Sequence, residues 1–302
     1  MLHVAAGNDT VRALRRPGER GVMSEGSEKR TECCVFEGVQ TEQQRSACAE
    51  EDGPTSRLEL VFGRAGVRRL AESTVMVFGA GGVGASCIEA LARGGVGRLV
   101  VVDGDVVQAS NINRQAIAFC STVGRRKVDV VRAIVADINP SAQVVPLDRF
   151  VLPKEVDALM DEWAPQADYV VDAIDTVSTK MAIAAYADRT GVRLVSSMGA
   201  ANKLRPDCFQ FADIYDTAND SLCRIVRKEA RKRGIRSLRV LYSREEPAAL
   251  PLGEPAPAEA GRRPTLGTAS YVPPIMGQML AGFVIRQLAV SGGSACEAAN
   301  LS

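Results

Sequence analysis

From Arg57 onward the chain alternates between short, continuously apolar runs and longer stretches in which apolar positions recur at helical spacing. Runs such as Leu99-Val-Val-Val102 and Tyr169-Val-Val171 have no polar face, which is the pattern of a parallel strand covered on both sides. The pattern predicts two short helices, 57–63 and 67–72, and strands at 74–78, 98–103, 142–147, 168–173 and 192–197. Between the strands it predicts helices ending near 93 and spanning 124–137, 153–162 and 178–189, a series of βαβ units. After Ser197 the order changes to a strand at 207–214, a helix at 221–233, a strand at 237–242 and a closing helix at 275–290. The expected fold is α/β: a Rossmann-like, doubly wound, mainly parallel sheet with a C-terminal antiparallel extension.

Periodicity fails in three places. Residues 1–56 are rich in Glu, Gly, Ser and Arg and hold few large apolar side chains, so burial cannot offset their ordering entropy. They are expected to be a disordered extension, with Met23 as an alternative start. Residues 245–264 carry Pro247, Pro251, Pro255, Pro257 and Pro264, and a mobile loop is expected over 243–264. Residues 291–302 are expected to be a disordered tail, which leaves 57–290 as the folded domain. The apolar run 275–290 is interrupted by Gln278, Arg286 and Gln287 and is shorter than the roughly 20 residues that span a bilayer. It reads as a buried helix, with a membrane-contacting helix as the lesser alternative, and no stable membrane insertion is expected.

Composition mainly excludes. In 302 residues the formal net charge is +1, so attraction to nucleic acid or membrane needs a local patch. The eight cysteines contain no C-x-x-C pair, which removes zinc-ribbon spacing, and their scatter fits a reducing cytoplasm. His3 is the only histidine, so a buried histidine base, a Ser-His-Asp triad and a histidine-held metal are all without a residue.

What remains is phosphate chemistry. Gly79-Ala-Gly-Gly-Val-Gly84 follows a strand and opens a helix, so Gly79, Gly81, Gly82 and Gly84 form a turn whose backbone N–H groups can approach phosphate. Asp103, 24 positions after Gly79, ends the next strand, where a carboxylate can accept ribose hydroxyls. This turn alone does not separate NAD from ATP. Downstream lie Asp103-Gly-Asp105, Ser110-Asn-Ile-Asn-Arg-Gln115, Gly124-Arg-Arg-Lys127 and Asp172-Ala-Ile-Asp175. They supply an arginine, a lysine and a carboxylate able to hold magnesium, the groups needed for attack on an α-phosphate. Singly, each has a plainer reading. Arg114 can be a surface charge, Lys127 a solvated helix residue and Asp175 the N-cap of the next helix.

As an ordered set, these residues resemble the ubiquitin-activating-enzyme-like superfamily, over about Arg57 to Leu288. The resemblance implies that Asp103 binds ribose, that Asn111, Arg114, Gln115 and Lys127 contact ATP with Asp105 in the same site, and that Asp175 holds Mg2+. It also implies that Arg57 reaches the ATP of a partner subunit, hence a homodimer. Ser196-Ser-Met-Gly-Ala-Ala-Asn-Lys203, Asp213-Ile-Tyr215, Arg231-Lys-Arg-Gly234, Tyr242-Ser-Arg-Glu-Glu-Pro247 and Gly267-Thr-Ala-Ser-Tyr-Val-Pro-Pro274 are similar to the tRNA threonylcarbamoyladenosine dehydratases. That narrower resemblance implies ATP-dependent cyclisation of a threonylcarbamoyl group on the adenosine beside the anticodon, through an acyl-adenylate. Since the second nucleophile belongs to the substrate, no enzyme cysteine is needed, and Cys208 and Cys223 read as core residues on a strand and a helix.

The tRNA needs a basic surface. Arg224, Arg227, Lys228, Arg231, Lys232 and Arg233, with Arg236 and Arg239 just beyond, face a single acid, Glu229. This is either a phosphate-binding helix or an ordinary solvated face. The alternative activity is adenylation of the C-terminus of a ubiquitin-like sulfur carrier, with a cysteine-desulfurase sulfur-transfer system as a further partner. An NAD oxidoreductase leaves the Asn-Arg-Gln set unexplained, and a silent scaffold leaves Arg57, Arg114, Lys127 and Asp175 without a purpose.

Overall fold

The structure, a computed structural model, describes residues 53–246 and 267–290. All of them belong to one of two units into which the chain divides, Gly38–Ser302; the other, Met1–Glu37, lies wholly outside the described residues. The expectations for residues 1–52, 247–264 and 291–302 fall outside them as well.

The apolar runs form a seven-stranded sheet. In chain order the strands are β1 (Thr74–Phe78), β2 (Arg98–Val102), β3 (Gln143–Leu147), β4 (Tyr169–Asp172), β5 (Leu194–Ser197), β6 (Phe209–Asp213) and β7 (Arg239–Ser243). Their order across the sheet is β3-β2-β1-β4-β5-β7-β6. All neighbours are parallel except β6 and β7, the expected antiparallel extension. The path runs outward from β1 to β3 and then restarts at β4 on the other side of β1. The carboxyl ends of β1, β2 and β4 therefore border a topological switch point, where open α/β sheets bind ligands.

Helices α1 (Ser56–Glu72), α2 (Gly82–Arg93), α3 (Lys127–Ile138), α4 (Val156–Trp163), α5 (Val177–Thr190), α6 (Ser221–Lys232) and α7 (Val272–Val290) cover the sheet. Apolar side chains of α2, α3 and α7 pack on one face of β1 and β2, against Val75, Val77, Leu99 and Val101. Those of α4 and α5 pack on the other, against Met76, Phe78, Val100 and Val102. Alternate residues of one strand thus serve opposite cores, which explains the absence of any polar position in these runs. The closing helix α7 is deeply buried, and no described helix is long and apolar enough to cross a membrane.

Several boundaries differ from the sequence pattern, each for a local reason. The two short helices at 56–72 are one element bent at Gly63, which adopts φ 66°. The third helix begins at Lys127 instead of 124, because Gly124 is left-handed (φ 85°) and Val106 and Arg126 form an antiparallel bridge. Strand β6 starts at Phe209, after a 3-10 turn at Pro206–Cys208, so Cys208 is not a strand residue. Helix α7 starts at Val272, with Pro273 and Pro274 in its first turn, where a missing N–H leaves no hydrogen bond unmade. Ser243 closes β7 and is buried, and Glu245 accepts backbone N–H groups from Leu204 and Arg205. Ser243, where the loop was expected to begin, is therefore a strand residue.

Candidate nucleotide-binding site

The turn after β1 is built by glycines, two of which, Gly79 and Gly84, cannot carry a side chain without strain or clash. Gly79 sits at φ 91°, and its N–H donates to the Val102 carbonyl at 2.8 Å. A Cβ on Gly84 would lie 1.8 Å from the Gly79 oxygen, so the first turn of α2 can press against the strand end only without a side chain there. A Cβ on Gly82 would meet Pro273 at 2.8 Å and Arg114 at 3.4 Å. Gly81, the N-cap of α2, has no heavy atom within 4 Å of its Cβ position, which leaves open space over the helix N-terminus. The four N-terminal N–H groups of a helix and its dipole favour an anion there.

Asp103 holds this turn in shape. One carboxylate oxygen accepts the Ala80 N–H at 2.7 Å and the other accepts the Asp105 N–H at 2.8 Å. Lys127 reaches the same strand end from the start of α3. Its Nζ lies 2.7 Å from the Asp105 carboxylate and 3.9 Å from that of Asp103. Lys127 is only 5% exposed, so it is no solvated helix residue, whereas the Asp105 side chain is 50% exposed. The pair is closed beneath and open above.

The segment 110–115 crosses beside the turn. Asn111 is buried in a 3-10 turn, and its side-chain oxygen accepts the Gln108 N–H at 3.0 Å. Half-buried Arg114 donates to the Ser110 carbonyl at 3.0 Å and to Asn113 Oδ1 at 2.8 Å, which fixes its guanidinium, while its Cγ and backbone oxygen lie beside Gly82. It is more than a free surface charge. Gln115 is buried, and its Oε1 has no hydrogen-bond donor. An unmatched buried acceptor costs about 1–3 kcal/mol, and such a group is well suited to a ligand that brings a donor.

Asp175 is exposed at the carboxyl end of β4. The N-cap of α5 is Thr176, with no side-chain cap bond, so Asp175 is not the helix cap. Its only described contact is the Thr176 hydroxyl at 3.4 Å. The turn that presents it rests on a group the sequence reading missed. Lys180 and Asp172 are fully buried, with Lys180 Nζ 2.7 Å from the Asp172 carboxylate, 3.0 Å from Ser196 Oγ and 2.9 Å from the Ser197 carbonyl. The second Asp172 oxygen accepts the Ile174 N–H at 3.2 Å and so shapes the turn towards Asp175. The available signal was an aspartate ending an apolar strand, followed eight positions later by a lysine inside an otherwise apolar helix stretch.

Other expected residues lie apart. Arg57 is exposed on the first turn of α1 and makes no hydrogen bond or ion pair among the described residues, beside exposed Leu60 and Val61. Helix α6 packs on α5 and β7, three strands from β1. Its basic residues are not alike. Arg224 and Lys228 are exposed and make no ion pair among the described residues, while Lys232 and Arg233 share Glu229 at 2.8 and 3.9 Å. Arg231 lies over the Tyr215 ring at 5.4 Å. Arg227 turns inward and donates to the Thr217 carbonyl at 2.7 Å and its hydroxyl at 2.6 Å. Arg227 thus closes the turn before the helix through one guanidinium nitrogen, a structural bond that the exposed Arg224 and Lys228 do not make. Burial pushes the Cys87 thiol up to about 12 and raises that of Cys223 further, so neither is a thiolate nucleophile near neutrality.

The geometry agrees with what the chain is similar to. The model of the ThiF family matches residues 55–291. A Bacillus subtilis protein named tRNA threonylcarbamoyladenosine dehydratase is 40% identical over 242 residues, covering 77% of this chain and 93% of the relative. The solved structure of the E. coli tRNA N6-threonylcarbamoyladenosine dehydratase in complex with ATP matches with a TM-score of 0.69 at 27% identity, covering 82% of this chain and 96% of that one. Its complex with AMP matches with a TM-score of 0.68 at 28% identity, covering 80% and 93%.

Proposed function

The chain belongs to the ThiF family, and from that premise we infer that it is an ATP-dependent enzyme that dehydrates N6-threonylcarbamoyladenosine beside the anticodon of tRNA to a cyclic form. The observation that carries this reading is the convergence, at one sheet edge, of an open glycine turn braced by Asp103 with Lys127, Arg114 and a free Asp175. The described residues include no histidine and the reaction calls on no cysteine, which suits a reaction whose second nucleophile the substrate carries itself.

The threonyl carboxylate attacks the α-phosphorus of ATP and pyrophosphate leaves, giving an acyl-adenylate. The carbamoyl group of the same substrate then attacks the activated carbonyl carbon. AMP departs with the bonding pair, and a carbamoyl N–H proton is released. The nucleophile is held within the molecule, so proximity contributes much of the rate. In this reading the turn at 79–84 binds phosphate, Asp103 and Asp105 border the ribose, and Asn111 and Gln115 hold polar atoms of the nucleotide. Lys127 and Arg114 stabilise charge that develops on the α-phosphate oxygens.

Asp175 fits magnesium. It is an exposed hard-oxygen donor with one weak contact, and Mg2+ is usually held by one or two carboxylates together with substrate phosphates. A bound ion would neutralise phosphate charge there. Arg57 is assigned to the ATP of a partner subunit in a homodimer. Among the described residues Arg57 has no partner, and Leu60 and Val61 beside it, 81% and 73% exposed, supply apolar surface for a second copy. The cytoplasm is the assigned compartment, in keeping with four free cysteines among the described residues.

Pyrophosphate exchange tests the reading. Exchange into ATP should require tRNA bearing the modified adenosine and should not respond to a ubiquitin-like sulfur carrier. Exchange driven by the carrier alone would replace tRNA with a protein substrate.

A further inference from the structure

Tyr271 stands immediately before α7, and its surroundings fix it from several sides. Its hydroxyl donates to the Leu204 carbonyl at 2.8 Å, yet the residue remains 44% exposed. Two residues later, Pro273 packs against Gly82 of the phosphate turn. Three residues earlier, the Thr268 carbonyl accepts the side-chain amide of Asn113, the residue that also binds Arg114, at 3.2 Å. Asn202 and Gly267 exchange two hydrogen bonds, 2.9 Å from the Asn202 N–H and 3.0 Å to its side-chain oxygen. Asn202 adopts φ 56°, a left-handed conformation that asparagine tolerates better than most residues. The segment 267–273 thus runs from Asn202, which follows β5, to the phosphate turn at Gly82, and the Tyr271 hydroxyl ties it to Leu204 on the way.

Its side of the turn matters. Asp103, the ribose carboxylate, ends β2 on one flank of β1, whereas Leu204 follows β5 on the other flank. On the reading above, the adenosine of ATP goes towards Asp103, which leaves the flank where Tyr271 bonds Leu204 for the second reactant. The same segment leads to cations. Lys203 lies 3.6 Å from the carboxylate of Asp220, the N-cap of α6, and exposed Arg224 and Lys228 follow on that helix. An exposed aromatic face together with unpaired cations is the usual means of holding an unpaired nucleotide, with the base stacked and the phosphates neutralised.

We propose that Tyr271 is a positioning residue that stacks on the base of the modified adenosine and so sets where its threonyl carboxylate meets the α-phosphate of ATP. This rests on the tRNA reading above. The threonylcarbamoyl group extends from the N6 edge of the base, so fixing the plane of the base fixes the direction of the carboxylate. The ring does the work, and the hydroxyl only orients it.

The test uses the full chain and two anticodon stem-loops, one bearing threonylcarbamoyladenosine and one with an abasic site in its place. Wild-type protein should bind the modified stem-loop about tenfold more tightly than the abasic one, the scale of one stacked base. Tyr271→Leu should bind both equally and raise the KM for tRNA about tenfold while the KM for ATP stays unchanged. Tyr271→Phe, which keeps the ring, should retain the preference. Retention of the preference by Tyr271→Leu, or its equal loss in Tyr271→Phe, would overturn the proposal. Wild-type protein that neither binds the modified stem-loop nor consumes ATP with it would fail the functional reading itself, a result distinct from failure of the Tyr271 variants.

Discussion

Two lysines, Lys127 and Lys180, are buried against aspartates at the carboxyl ends of β2 and β4, the strands on either side of β1. Both ammonium groups lie 2.7 Å from their closest carboxylate oxygen. They differ in what surrounds the carboxylate. Asp172 is fully buried, and Lys180 spends its three protons on Asp172, Ser196 and the Ser197 carbonyl, which leaves nothing for a ligand. Asp105 is half exposed, so Lys127 can turn part of its charge towards a phosphate without abandoning a buried anion. The distance within an ion pair therefore does not reveal its job. Its exposure does. The closed pair holds the fold, and the open one is available to chemistry.

Lys180→Met should break the comparison most severely. It strands Asp172 in the core, and loss of one partner of a buried pair costs about 3–5 kcal/mol. That is a large share of the roughly 5–15 kcal/mol that holds a typical domain. Chemical denaturation should show a lower midpoint, with activity lost because the protein unfolds. If the midpoint is unchanged, the closed pair is not structural.

Lys127→Ala should show the reverse balance. Stability should fall by about 1 kcal/mol or less, as for a partly solvated pair. Turnover should fall by about 10²–10³, the cost of removing one group that stabilises transition-state charge. Mixing it with Arg57→Ala under subunit exchange should restore activity, because a mixed dimer contains one intact site. No recovery after verified exchange would place Arg57 in its own subunit's site.

Asp175→Asn keeps the shape of the side chain and removes its charge. Turnover should collapse at low magnesium while the melting temperature stays within error, since no cap bond is lost. A lower melting temperature with normal turnover would make Asp175 a structural residue.

The smallest expected effect belongs to helix α6. Arg224→Glu with Lys228→Glu should weaken tRNA binding and flatten its dependence on log salt by about one unit per residue, because fewer counterions are released. ATP binding should not change. Arg227→Glu instead should lower stability, since its guanidinium closes the turn at Thr217. Unaltered salt dependence in the double variant would make the helix a solvated face.

Strand cores and the glycine turn were legible because strict physical requirements wrote them. Two-sided burial forces unbroken apolar runs such as Leu99–Val102, and the Gly79 oxygen, 1.8 Å from where a Cβ on Gly84 would stand, forbids a side chain there. The polar set around the turn was legible only as an ordered series, because Arg114, Lys127 and Asp175 each allowed a plainer reading until their burial and partners were known. Lys180, and the role of Ser196 beside it, were missed because their meaning lies in contacts with Asp172 across 8 and 24 positions. The division within helix α6 was hidden for a similar reason. Charge is read from composition, but whether an arginine faces solvent or closes a turn depends on residues before the helix, here Thr217.

The central claim is that this edge of the sheet activates a carboxylate on tRNA. The most direct measurement is mass spectrometry of nucleosides from tRNA bearing threonylcarbamoyladenosine, after incubation with the protein, ATP and magnesium. The product should be a modified nucleoside lighter by one water, formed only with ATP and accompanied by equal amounts of AMP and pyrophosphate. An unchanged nucleoside from intact, ATP-binding protein would contradict it.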